Sequence, residues 1–335
     1  MNVDIIGGGI SGLSSAISLK EHDPLIHVTV HEKYKTIGYN LEGRRCGEAY
    51  GIHKPWDKWR PDEKSIFNEI CKWELIIGEK TLMYPLPPGT QYILNRQEFI
   101  SKLAQEAENL GVNFLVNNKI RTITNLKSDY IIDASGCPST VKRELGFLQG
   151  IVGGTYQQTI EGSNCFIPDT MRFYLAREGG YYWIFPRDPN RNEVNVGIGI
   201  YGNLKHNLKH LLEKFKLKQN IEGQVNYILG GLVPLGIQRP LRYDNILFVG
   251  DAGVGAGPLS GAGVPRALIS GHVAGKCIAE QCANKYTHMI KKMYMRGDMI
   301  GIRYIKMNNF LNKINPDLVL KIAYMAYKSL NKTLH

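Results

Sequence analysis

The chain has 335 residues, 43% of them hydrophobic and 21% charged, and its 41 Lys and Arg outnumber its 30 Asp and Glu for a net charge of +11. That length suggests roughly two domains able to bury cores of their own, and the ordinary charge and aromatic content exclude wholesale disorder. Six cysteines (Cys46, Cys71, Cys137, Cys165, Cys277, Cys282) with no Cys-x-x-Cys pair exclude a disulfide scaffold and a zinc ribbon, and point to a reduced, cytoplasmic enzyme with no metal.

No run of about 18 apolar residues is present, so a membrane-spanning helix is not expected. The apolar start lacks a basic leader and carries glycines at positions 7, 8 and 9, so it reads as strand and turn rather than as a secretion signal. Val3-Asp-Ile-Ile runs into Gly7-x-Gly9-x-x-Gly12, and Leu13 then opens an amphipathic helix. A second strand, Ile26-His-Val-Thr-Val30, is followed by Glu32, twenty residues after Gly12. Gly7 allows a tight turn, Gly9 lets backbone approach a pyrophosphate, and Gly12 permits close helix packing. The helix N-terminus faces phosphate charge, while Glu32 can accept from ribose hydroxyls. An acid at that position favours FAD or NAD over NADP.

Further along, the segment Leu94–Phe99, with Arg96, opens the helical stretch 99–111, and a strand from Val112 reaches toward Ile120. Tyr130-Ile-Ile-Asp133 reads as another strand, followed by Ala-Ser-Gly136. Strands are expected at Trp73–Gly78, Thr81–Tyr84, Met171–Ala176, Tyr181–Pro186 and Glu193–Ile200, the last with Val194, Val196, Ile198 and Ile200 alternating. An antiparallel sheet beside the nucleotide domain is the simplest architecture for them.

The second Gly-rich signal arrives late, which disfavours a nicotinamide dehydrogenase. The strand Asn245-Ile-Leu-Phe-Val-Gly250 is followed by Asp251 and then Gly261-x-Gly263-Val264 at the next helix start. This Gly-Asp signature resembles the flavin-ring segment of FAD proteins of the para-hydroxybenzoate hydroxylase type. The resemblance implies Asp251 on the ribityl hydroxyls, and Gly263 and Val264 amides toward the flavin ring. It also implies FAD contacts from Arg96 and from the backbone at Ile120.

Tyr181-x-Trp183-x-Phe185-Pro186, followed by Gly197-x-Gly199, resembles the YxWxFP…GxG motif of the geranylgeranyl reductase family. Arg45-Cys46-Gly47-Glu48-Ala49 resembles that family's Cys-(Ala/Gly)-Glu segment. The resemblance spans most of positions 1–283. It implies an FAD-dependent reductase that saturates C=C bonds of geranylgeranyl chains in membrane lipid biosynthesis. It places Cys46, Gly47 and Ala49 near the flavin, with Cys46 the candidate proton donor. Tyr181, Trp183, Phe185, Pro186, Gly197 and Gly199 would line the prenyl pocket. Ser135 stands where many relatives have Asp.

The expected fold is therefore α/β: a Rossmann-like FAD domain of the hydroxylase type, an inserted antiparallel-sheet substrate domain and a helical C-terminus. The expected segments are 1–60, 94–145 and 240–283 for the FAD domain, 61–93 and 146–239 for the substrate domain, and 284–335 for the C-terminal region. Alternatives are an FAD monooxygenase acting on an aromatic or quinone substrate, and a prenyl-lipid binder without turnover. The monooxygenase is disfavoured because Ala-Gly-Val-Gly follows Asp251 where a hydroxylase-like turn carries His. The electron donor, ferredoxin or NAD(P)H, is not legible.

Of the net +11, +8 falls between Asn284 and His335, together with six of the nine Met. That region reads as helices broken near Gly297 and Gly301 and again at Asn315-Pro316. It either caps the core or docks peripherally on an anionic membrane; no nucleic-acid motif accompanies it. His206 and His210 read as solvated residues on one helix, and Cys277 and Cys282 as inert residues on another.

Overall fold

The computed structural model describes all residues except 38–46, 53–56, 149, 203–205, 316–319, 323 and 326–335. Arg45 and Cys46 lie outside the described residues. The chain divides into two compact units, one of Met1–Arg44, Arg96–Val152 and Val233–Ile302, the other of Arg45–Asn95, Gly153–Leu232 and Arg303–His335.

The first unit is built on a six-stranded sheet in the order Arg242–Tyr243, Ile246–Phe248, Tyr130–Asp133, Asn2–Ile6, His27–His31, Asn113–Leu115. Every pairing is parallel except the first. Central strands of a parallel sheet are buried on both faces, and Val3, Ile5, Val28, Val30, Ile132 and Leu247 are all buried here. Helix Ile10–His22 packs on helix Val264–Ala279. The contact is polar as well as close: the Ser14 and Ser18 hydroxyls donate to the carbonyls of Leu268 (2.7 Å) and His272 (2.9 Å). The strand expected to reach Ile120 is only Asn113–Leu115, and Ile120 lies in the loop beyond it, half-buried against Ile6, Ile131 and Phe248.

The second unit carries a seven-stranded sheet in the order Gln224–Pro234, Val152–Glu161, Glu193–Tyr201, Gly180–Asp188, Thr170–Leu175, Lys72–Ile77, Lys80–Pro85. The sheet is mixed rather than wholly antiparallel, because Lys72–Ile77 runs parallel to Thr170–Leu175. Those strands come from separate stretches of chain, so no hairpin forces them to oppose each other. A three-stranded sheet of Ala49–Gly51, Gln91–Leu94 and Ile66–Glu69 completes the unit. Ala49–Gly51 pairs with Gln91–Leu94, which is why the chain passes into this unit at Arg45 and not near residue 60.

One face of the larger sheet is closed by helix Leu208–Lys218. There Ile184, Val194, Val196, Ile198 and Ile200 pack with Leu212 and Phe215. Asn207 caps this helix, its side chain accepting from the His210 amide (3.1 Å), so His206 precedes the helix and the two histidines do not share a helical face. Cys282 likewise lies past the end of the helix that holds Cys277.

The C-terminal region contains one continuous helix, Tyr286–Ile314, which runs through Gly297 and Gly301 without a break. Gly301 is there for proximity. A Cβ on it would stand 2.9 Å from Pro258 Cβ. A helix-interior glycine costs about 1 kcal/mol relative to alanine, but here a side chain would collide with Pro258. Among the described residues no helix is long and apolar enough to cross a membrane, and no cluster of His, Cys, Asp and Glu is arranged to hold a metal ion.

Candidate functional site

In the first unit the site is made of backbone. Gly7 sits at φ +106°, and a Cβ there would stand 2.6 Å from the Ala134 carbonyl oxygen. A Cβ on Gly12 would meet the Gly7 carbonyl oxygen at 2.0 Å, so only glycine allows this helix to start so close to the turn. Gly9 differs: nothing lies within 4 Å of its Cβ direction. It is the N-cap of helix Ile10–His22, without a side-chain cap and with no acid in the first turn. Free amides and the positive helix end thus face open space, the arrangement a pyrophosphate needs. Leu13 is fully buried behind them.

Glu32 is buried and serves the loop directly: its carboxylate accepts from the amides of Gly8 (2.9 Å) and Tyr34 (3.0 Å). Each oxygen keeps a lone-pair direction for a ribose hydroxyl. Asp251 lies exposed in the first turn of the short helix Gly250–Gly253. Its Oδ1 is 4.0 Å from where a Cβ on Gly263 would be. Gly263 is the N-cap of helix Val264–Ala279, again with no side-chain cap, and Val264 is its first residue. Asp251, Gly263 and Val264 therefore form one group. The Cys137 thiol is pushed up to about 11 by burial, with the Asp251 carboxylate adding to it. Arg96 opens helix Arg96–Asn109 on another element of the same unit. These residues fit a dinucleotide with a diphosphate bridge and hydroxylated linkers.

Ser135, the departure from the family's Asp, works locally. Its amide donates to Asp133 Oδ1 (3.0 Å), and its hydroxyl accepts from the Thr140 amide (2.9 Å). Asp133 is fully buried, hydrogen-bonded by Ser139, and faces the buried Lys142. Burial raises its pKa against the pull of those partners. Burial also lowers Lys142 to about 8, against the pull of Asp133. The Lys142 ammonium donates to the Gln238 carbonyl (2.6 Å) and lies 4.7 Å from the Phe248 ring centre.

In the second unit the site is made of side chains. Trp183 and Phe185 are buried and Tyr181 half-buried on one face of the sheet, spaced two residues apart as a strand requires. Phe173 meets Tyr181 and Phe185 edge-on, with ring centres 5.7 and 5.1 Å apart. Trp183 pairs with Gly197 across the strands. A Cβ on Gly197 would stand 2.1 Å from the indole, whereas Gly199 has its nearest neighbour at 3.5 Å. The first glycine of the motif is thus a seat for the tryptophan. The indole N–H donates to Gln157 Oε1 (3.1 Å). Val194, Val196, Ile198 and Ile200 do alternate, but the glycines between them are buried too, so both faces of that strand are covered.

The second family motif meets the first here. A Cβ on Gly47 would lie 2.9 Å from the Phe185 ring. Glu48, at φ +58° and buried, accepts from Arg187 Nε (2.6 Å) and Asn195 Nδ2 (3.1 Å). Arg187 also bonds Glu193, and its guanidinium lies 3.9 Å from the Phe67 ring centre. Asn195 in turn accepts from the Thr159 hydroxyl (2.8 Å). Burial works against the Arg187 charge, but Glu48 and Glu193 together raise it above its ordinary value. Glu48, Arg187, Glu193, Asn195 and Gln157 were not singled out by the sequence. The only signals were that Glu48 stands inside one motif and Arg187 directly after the other. Ala49 begins the strand paired with Ile93, and Pro186 accepts from Asn68 Nδ2 (3.0 Å) through its carbonyl.

A family model of the geranylgeranyl reductase catalytic domain matches residues 153–233, the stretch that contains this aromatic face. The digeranylgeranylglycerophospholipid reductase of Methanothrix thermoacetophila is 26% identical over 317 residues, covering 83% of this chain and 78% of the relative. The crystal structure of a geranylgeranyl bacteriochlorophyll reductase-like protein from Thermoplasma acidophilum superposes with a TM-score of 0.82 at 24% identity, covering 96% of this chain and 89% of that one. A flavin-dependent brominase superposes at a TM-score of 0.70 and 17% identity, covering 99% and 100%. The fold is thus one shared by a geranylgeranyl bacteriochlorophyll reductase-like protein, an oxygenase and a flavin-dependent brominase. Motifs, family model and relatives converge: the chain is related to the geranylgeranyl reductases.

Proposed function

We propose that the chain is an FAD-dependent oxidoreductase that saturates C=C bonds of geranylgeranyl chains in lipid biosynthesis. The observation that carries this reading is the joining of two separated family motifs, Cys46-Gly47-Glu48 and Tyr181-x-Trp183-x-Phe185-Pro186, by the Glu48–Arg187 pair within one unit. The matched catalytic-domain model and the named reductases among the relatives support it. A monooxygenase draws on the shared fold alone.

On this reading the glycine turn 7–12 and the start of helix Ile10–His22 hold the FAD diphosphate, and Glu32 holds the adenosine ribose. Asp251 and the Gly263–Val264 amides hold the ribityl chain and the flavin ring; Arg96 and Ile120 add to the same cofactor. Held by these residues and reduced, FAD would supply a hydride to one alkene carbon, and a proton must reach the other. Cys46 is our candidate for that proton, since an ordinary thiol is mostly protonated at neutral pH. An isolated alkene offers no carbonyl to polarise, so shape must position it and water must be kept out. The aromatic face around Tyr181, Trp183 and Phe185 suits that task. It binds a polyprenyl chain at about 0.8 kcal/mol for each buried CH₂. Reducing equivalents come from a ferredoxin or NAD(P)H.

The test is product mass. The purified protein is reduced without oxygen and given a geranylgeranyl glycerolipid. A gain of two hydrogens per double bond is expected. An unchanged lipid from a protein that carries reducible flavin would contradict the reading.

A further inference from the structure

We propose that the outward face of helix Tyr286–Ile314 is a docking surface for an anionic lipid membrane. The inward face is accounted for. Tyr286, Ile290, Asp298, Gly301, Ile305 and Asn308 form a buried stripe at helical spacing. The Tyr286 hydroxyl donates to the Phe248 carbonyl (2.7 Å). Asp298 is gripped by Arg266 through two bonds (2.9 and 2.8 Å) and accepts from the Ile237 amide (2.9 Å). Arg266 itself donates to the carbonyls of Gly255 and Val254. The helix is therefore folded and anchored before any partner arrives.

The opposite face is unlike an ordinary solvated one. Met295, Met299, Ile300, Met307, Phe310 and Ile314 are exposed, Phe310 by 63% and Ile314 by 67%. Between them stand the exposed cations Lys292, Arg296, Arg303 and Lys306. The only acid in the helix is Asp298, which is buried and already paired. An amphipathic interfacial helix has this composition, with basic groups for anionic headgroups and apolar groups for the acyl boundary.

Charge selects the occupant. A second copy would bring the same four cations against themselves, because a two-fold contact pairs like patch with like patch. A nucleic acid would match the cations but leave the large apolar groups without a partner. The inference rests on the reductase reading only in giving the protein a reason to visit lipid; the binding itself is measured without turnover.

The test uses the full chain with vesicles of phosphatidylcholine alone, or mixed equally with phosphatidylglycerol. Co-sedimentation with the mixed vesicles is expected, and much less with the neutral ones. Each basic group near the surface contributes about fivefold to partitioning, so Arg296→Glu with Arg303→Glu should weaken binding by well over tenfold. Met299→Ser with Phe310→Ser should weaken it on both vesicle types. These side chains are exposed, so melting curves should stay unchanged. Equal binding by the charge-reversed variant, or no binding by the parent, would overturn the proposal. So would a concentration-dependent dimer that Met299→Glu dissolves. A protein that saturates detergent-dispersed lipid yet ignores vesicles refutes this surface alone; one that binds vesicles and saturates nothing refutes the reductase reading alone.

Discussion

The two units build their candidate sites by opposite means. The nucleotide unit works with what the chain leaves out: no side chain at Gly7, Gly9 and Gly12, no capping group at the starts of two helices. The sheet unit works with what it puts in: a tryptophan seated on a glycine, edge-on aromatic rings, and a buried guanidinium between two carboxylates. A backbone device tolerates almost no substitution at its glycines but is indifferent to its surroundings. A side-chain device fails wherever one member is removed and the others are left buried.

The largest expected effect comes from the buried ion group. Arg187→Ala leaves Glu48 and Glu193 without their cation and should cost about 3–5 kcal/mol in urea unfolding. Arg187→Met with Glu48→Gln and Glu193→Gln should recover a substantial part; no recovery would mean that charge is not what holds these strands together. Next is the tryptophan seat. Gly197→Ala should cost about 1–3 kcal/mol by overpacking, and Gly199→Ala much less. Trp183→Phe in the Gly197→Ala background should relieve the clash, and equal costs at the two glycines would remove the seat from the account.

The Asp133–Lys142 pair should show in the pH dependence of the nucleotide unit. Lys142 is held near 8 in the folded chain against 10.5 when exposed, so the unfolded chain binds more protons between those values. Stability should therefore rise with pH across that window, relative to Lys142→Met, by about 3 kcal/mol. A flat difference would contradict the buried ammonium. The smallest stability effect is expected at Gly9→Ala, where the methyl meets only open space at φ −84°. Melting of the flavin-free protein should not move while bound flavin falls sharply. Undiminished flavin would mean that the cofactor does not approach Gly9.

What could be read from the sequence follows the same division. The glycine turn, Glu32 and the Asp251–Val264 stretch were legible because a backbone device must keep its residues at fixed local spacing. The YxWxFP…GxG stretch was legible as a motif, yet the seating of the Trp183 indole on Gly197 depends on the register between two strands. Glu48 and Arg187 are 139 residues apart, so no local pattern links them. The parallel pairing of Lys72–Ile77 with Thr170–Leu175 is hidden for the same reason. The breaks expected at Gly297 and Gly301 came from reading glycine as a helix breaker, whereas Gly301 provides room for Pro258.

The central claim is that alkene lipid, and not oxygen, is the natural outlet for electrons stored in this protein. The most direct measurement mixes the anaerobically reduced protein with a geranylgeranyl glycerolipid and follows flavin absorbance. The account predicts recovery of the oxidised spectrum at a rate that rises with lipid concentration and is lost with the fully saturated lipid. A reduced spectrum that persists with lipid and collapses only when oxygen and an aromatic substrate are admitted would contradict it.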